Sequence, residues 1–120
     1  MKLTILKLNN VPIAVLESIE SPINSVQDAL DLLENANSQG IRKIMIKKEH
    51  LHKDFFNLKS GLAGEIIQKV INYYKQLAIV GDFDMYQSKS WLDFVYESNK
   101  TGQIYFTDNT QDAVKLLTKD

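Results

Sequence analysis

Apolar and polar residues alternate from Met1 to Leu8, with Leu3, Ile5 and Leu8 flanking a first strand, and the alternation resumes through Val11, Ile13 and Val15. A period of two places successive side chains on opposite faces of a strand. Asn9 and Asn10 stand between the two runs and tolerate left-handed backbone, so residues 2 to 17 read as a hairpin. Pro12 lacks a backbone donor, which assigns it to a sheet edge or to the start of its strand. The pattern then changes period. Val26, Ala29, Leu30, Leu33 and Ala36 recur at helical spacing up to Gly40, behind a Ser25 cap with Asp28 three residues on.

Ile41 to Ile46 is a short β-branched run followed by a polar loop from Lys47 to Asp54. Phe55 and Phe56 are expected to plug the end of the core on a short helical turn. From Ser60, a wide helical face is marked by Leu62, Ala63, Ile66, Ile67, Val70, Ile71 and Tyr74. Leu77 to Val80 is continuously apolar, as a strand covered on both faces requires, and Gly81 with Asp82 ends it. Ser88 or Ser90 can cap a third helix through Trp91, Leu92, Val95 and Tyr96. Gln103 to Thr107 forms a last strand, and Asn109 or Thr110 caps a final helix carrying Ala113, Val114 and Leu117. The predicted order is β-β-α-β-α-β-α-β-α, a single α/β domain over residues 1–120 with a mixed sheet of five strands and four main helices.

In such a sheet the carboxyl ends of the parallel strands and the amino ends of the following helices share one rim, where ligands bind. Here that rim gathers Lys47 to His52, Lys59 to Gly61, Gly81 to Phe83, Ser88 to Ser90 and Thr107 to Thr110. Composition narrows the possible occupants. A formal net charge of −1 gives no global attraction to polyanions, so neither DNA nor RNA is an expected partner. The absence of cysteine removes disulfides, thiolate catalysis and cysteine-ligated zinc together. Met1 to Leu8 reads as a strand rather than a signal peptide, and no apolar stretch is long enough to cross a bilayer; the expectation is a cytoplasmic protein with no membrane partner.

Leu58-Lys59-Ser60-Gly61-Leu62-Ala63-Gly64, following Phe55 and Phe56, resembles the Asp-Ser-Ser-Gly-Leu-Gly helix start of the STAS domain of anti-sigma-factor antagonists and sulfate transporters. Ser60 matches the second serine. Lys59 stands at the family's phosphorylated serine and Leu58 at its aspartate. The resemblance implies a STAS-like fold and a regulatory, protein-binding role. A closer resemblance, to an uncharacterised bacterial family known only as a domain of unknown function, is carried by four stretches: Val26 to Leu32, Asp54 to Ile66, Leu77 to Phe83 and Phe94 to Lys100. It implies no activity.

Residue chemistry gives a short set of candidates. Lys59, Ser60 and Gly61 at a helix start combine a cation, a hydroxyl and free N–H donors, suited to a phosphate or carboxylate. The plainer alternative is a serine cap with small neighbours that permit close helix packing. Asp82 at the end of the central strand can serve a ligand or simply turn the chain. Ser88 can line the rim or cap its helix. His50 and His52, with Glu49 and Asp54, are ligand types without a third histidine, so no metal set is assigned. Arg42 to Lys53 is locally basic. Trp91, Phe94 and Tyr96 either edge the core or form a contact patch. No Ser/His/Asp triad is legible, so no catalytic residue and no cofactor is assigned. Two functions stay open for Lys59, Ser60, Gly61, Asp82 and Ser88. One is a non-enzymatic module that binds a protein partner, with or without a small anion. The other is a small enzyme or nucleotide-binding protein that holds a phosphorylated substrate. Oligomeric state is not assigned.

Overall fold

A computed structural model describes residues 1–119. The amino-terminal hairpin joins β1 (Lys2–Leu8) to β2 (Val11–Ser18) through Asn9 and Asn10, whose φ values of 50° and 67° are both left-handed. That geometry is the mirror-image turn whose twist matches the flanking strands, and asparagine adopts it at low cost. Pro12 pairs with Lys7 of β1, while pairing of β2 with β3 (Lys43–Lys47) begins only at Ile13. The proline thus sits before the parallel ladder and costs it no hydrogen bond.

The sheet runs in the order β1-β2-β3-β4-β5, with β4 spanning Gln76–Val80 and β5 Ile104–Thr107. β1 is antiparallel to β2, and the remaining neighbours are parallel. Each parallel step moves one place in the same direction, so crossovers of one hand put their helices on one face. Those helices are α1 (Val26–Ser38), α2 (Leu62–Asn72) and α3 (Lys89–Thr101). They bury the larger core, built on Leu33, Ile44, Ile46, Phe55, Val70, Ile79 and Trp91. α4 (Thr110–Thr118) follows the last strand, closes no crossover, and packs on the opposite face through Ala113 and Leu117 against Ile13, Met45, Ala78 and Tyr105. Lys43 Nζ donates to the Leu117 carbonyl and Asn9 Nδ2 to Thr118 Oγ1, tying the end of α4 to the sheet.

The five-stranded mixed sheet and four helices are those expected from the sequence, with local differences. β3 begins at Lys43, because Ile41 is used to close the end of α1, its N–H donating to the Ala36 carbonyl. The segment read as a polar loop contains turns at Lys48–His50 and Lys53–Phe56. It also pairs with the chain before α1: Ile23 N–H donates to the His50 carbonyl and His52 N–H to the Ile23 carbonyl. His50 and Leu51 are therefore buried. On α3, Leu92 faces outward, and Trp91 and Ser98 are the buried residues. No helix among the described residues is long and apolar enough to cross a membrane.

Candidate functional site

The amino end of α2 is built from a turn at Leu58–Ser60 and a Gly61 in the left-handed region, φ 79°. A side chain is strained in that conformation, which accounts for glycine there. Gly61 rather than Ser60 is the cap residue, and the helix opens at Leu62. Ser60 Oγ donates to the Asp54 carbonyl at 2.6 Å and accepts the Leu62 N–H at 3.2 Å. Lys59 N–H donates to Asn57 Oδ1, and Gly61 N–H to the Leu58 carbonyl. The serine hydroxyl, which the sequence offers as a ligand for an anion, is thus engaged by backbone on both its donor and acceptor sides. Lys59 and Ser60 are exposed.

Beside this corner an aromatic cluster closes the interior end of the sheet. Phe55 is fully buried and meets Phe56 edge-on at 5.2 Å. Phe56 stacks on Tyr86 with centroids 4.8 Å apart and rings 7° from parallel, and it meets Trp91 at 5.5 Å. Phe83 and Phe106 continue the cluster, edge to face at 5.4 Å. Trp91 is core, with 2% exposure, whereas Leu92, Tyr96 and Met85 are exposed by 47, 64 and 70%. The aromatic residues of α3 are thus divided: Trp91 buried, Phe94 half-buried against the core, Tyr96 outside.

The exits of β3 and β4 touch. A Cβ on Gly81 would lie 2.5 Å from Lys48 Cβ, so only glycine lets the two chains pass at this distance. Lys48 Nζ donates to the Asp82 carbonyl at 2.8 Å and lies 5.2 Å from the Tyr86 ring centre. Asp82 Oδ1 accepts the Asp84 N–H, turning the chain away from the strand. Ser88 caps α3 by accepting the Trp91 N–H, and Ser90 has no part in the cap. Both histidines accept a backbone N–H at Nδ1, His50 from Lys47 and His52 from Asp54. Burial holds the His50 imidazole below its ordinary pKa, a shift opposed by the nearby Glu49 and reinforced by Lys47.

Past Asp82 the rim opens. A groove of about 740 Å³ lies at the exits of β4 and β5, between α3 and α4. Phe83, Val95, Phe106 and Leu116 supply its apolar surface, and Asp82, Asp84, Asp108, Asp112 and Lys115 its charged edge. Asn109, which caps α4 by accepting the Asp112 N–H, also donates from Nδ2 to Asp108 Oδ1 at 2.7 Å and to Asp112 Oδ2 at 3.0 Å. One amide thereby fixes two carboxylates. Among the described residues no three carboxylates or histidines converge closely enough to hold a metal ion. A smaller hollow of about 340 Å³ is lined by Lys48, Lys53, Phe56 and Tyr86 among others.

Of the sequence-derived candidates, Asp82 lines the large groove, whereas Lys59, Ser60, Gly61 and Ser88 are not among its lining residues. Sequence reasoning passed over Asp84, Asp112, Val95 and Lys115. The signal for Asp112 was its position three residues after Asn109, which reads as capping chemistry and nothing more.

No curated protein and no solved structure matches the chain. A family model does: "Domain of unknown function (DUF4180)" matches residues 8–117, from the end of β1 to the last turn of α4. The chain belongs to the DUF4180 family.

Proposed function

We propose that this chain is a non-enzymatic protein-interaction module, STAS-like in the order of its elements, that presents its strand-exit rim to a protein partner. The observation that carries the reading is the apolar surface left outside a well-filled aromatic core: Met85, Leu92 and Tyr96 are exposed around the start and outer face of α3. Leu92 and Tyr96 are four residues apart, on one helical stripe. Isolated exposed apolar residues are ordinary, but a stripe beside an open groove is the surface that a partner covers. The groups a catalytic site would need are committed elsewhere. Ser60 and Ser88 bond backbone atoms, and each imidazole accepts a backbone N–H. Lys59 and Asp82 belong to the same rim and extend the proposed contact on either side.

Affinity capture from the cells that make the protein tests this reading. Leu92→Glu, Tyr96→Ala and Lys59→Glu are compared with Gln39→Glu, which lies beyond α1 and away from the rim. The expected result is loss of a defined partner in the first two variants, weakening in the third and full recovery in the last. Equal recovery from all four overturns the proposal. So does strong thermal stabilisation by nucleotides or phosphometabolites, which the lysine-lined hollow beside Tyr86 would have to receive.

A further inference from the structure

We infer that the groove between α3 and α4 takes a lysine- or arginine-rich segment of the partner, anchored by an apolar side chain. The inference rests on the interaction-module reading and adds the chemistry of what is bound. The groove, at about 740 Å³, is open to solvent and large enough for several side chains of a bound segment, and its surface is more apolar than polar. Phe83 and Phe106, packed edge to face beneath it, give a firm floor for an apolar anchor. Above that floor the charge is one-sided. Among the lining residues Asp82, Asp84, Asp108 and Asp112 face a single cation, Lys115, while Lys48 Nζ sits on the Asp82 carbonyl at the edge.

The arrangement selects among occupants. A phosphate or carboxylate entering the groove would meet four like charges, and each costs free energy at contact distances. A bare divalent cation needs several carboxylates on one point, and among the described residues none are so arranged. Spread around an apolar floor, the same carboxylates suit cations that arrive spaced along a chain, as lysine and arginine side chains do. Three of the four carboxylates, those of Asp82, Asp108 and Asp112, are also held before binding. Asn109 Nδ2 bridges Asp108 and Asp112, and the Asp84 N–H holds Asp82. Little side-chain order then has to be imposed by the partner.

Fluorescence anisotropy with two labelled peptides on the full chain provides the test. One peptide is Lys-Leu-Arg-Phe-Arg-Leu-Lys, and the other carries glutamate at every basic position. The basic peptide is expected to bind and the acidic one not, with affinity falling as salt is raised. The double variant Asp84→Asn, Asp108→Asn should loosen the basic peptide about tenfold, and Lys115→Glu should tighten it about threefold. All three sites are exposed, so these variants keep the fold. Equal binding of the two peptides, or an affinity unmoved by both variants, overturns the inference. Concentration-dependent dimerisation that competes with the peptide overturns it too, by giving the groove to a second copy. Failure of this inference is separable from failure of the module reading, because partner capture through Leu92 and Tyr96 is read independently.

Discussion

Two corners of one rim make the instructive contrast. At the start of α2, Ser60 and Gly61 stand where a ligand-binding motif would be sought, yet their polar atoms bond the backbone of Asp54, Leu58 and Leu62 and the aromatic cluster fills the space behind them. At the exits of β4 and β5 no motif is written, yet the chain leaves an open groove edged with carboxylates. The difference follows from cover. The first corner lies on the face protected by three helices and is sealed by the long connection between β3 and α2. The second lies where the sheet ends and the chain changes faces, so α3 and α4 diverge and leave room between them. A cap-like sequence therefore marks a structural requirement, and vacancy is decided by topology.

The contrast can be strained from either side. Phe55→Ala should have the largest effect, because the ring is fully buried at the closed corner. Denaturant unfolding is expected to show a loss of about 3–5 kcal/mol. Gly81→Ala attacks the seam between the corners, where the new methyl meets Lys48 Cβ rather than the mobile end of a side chain. A loss of about 1–3 kcal/mol is expected, together with release of Lys48 from the Asp82 carbonyl, visible as altered amide shifts at Gly81 to Asp84. Ser60→Ala should cost about 1 kcal/mol, the scale of the lost hydroxyl hydrogen bonds to the Asp54 carbonyl and Leu62 N–H. A stability change near zero would mean that the hydroxyl is free for a ligand after all.

The smallest effect is the one that depends on pH. His50 is buried with Nδ1 accepting the Lys47 N–H, and its pKa is lowered by that burial. As pH falls, the unfolded chain takes up the proton first, so the stability this imidazole contributes is complete above its ordinary pKa of about 6.5 and declines below it. Thermal unfolding at steps from about pH 7.5 to pH 5 should show a decline that His50→Gln reduces. Identical pH profiles for the two proteins would remove the Nδ1 contact from the account.

Most of the fold was legible because its signals are local. The paired asparagines demanded a hairpin turn, Ser25 and Ser88 capped the helices assigned to them, and the unbroken run at Leu77 to Val80 announced a strand covered on both faces. The cap of α2 is displaced by one residue, from Ser60 to Gly61, since a serine next to a glycine reads as the cap when the left-handed glycine is the cap itself. The burial of His50 and Leu51 depends on Ile23, some thirty residues away, and no local pattern encodes that pairing. The groove was illegible for the same reason. Asp82 was visible at a strand end, but Asp108 and Asp112 become its neighbours only when α4 crosses to the second face of the sheet.

Amide-resolved NMR titration of the full chain with the basic peptide tests whether the open exit, and not the serine corner, receives the basic segment of the partner. The expected result is shift changes concentrated at Gly81 to Asp84 and Thr107 to Leu116, with Leu58 to Leu62 unmoved. Changes centred on Lys59, Ser60 and Gly61 while the groove stays silent would contradict it.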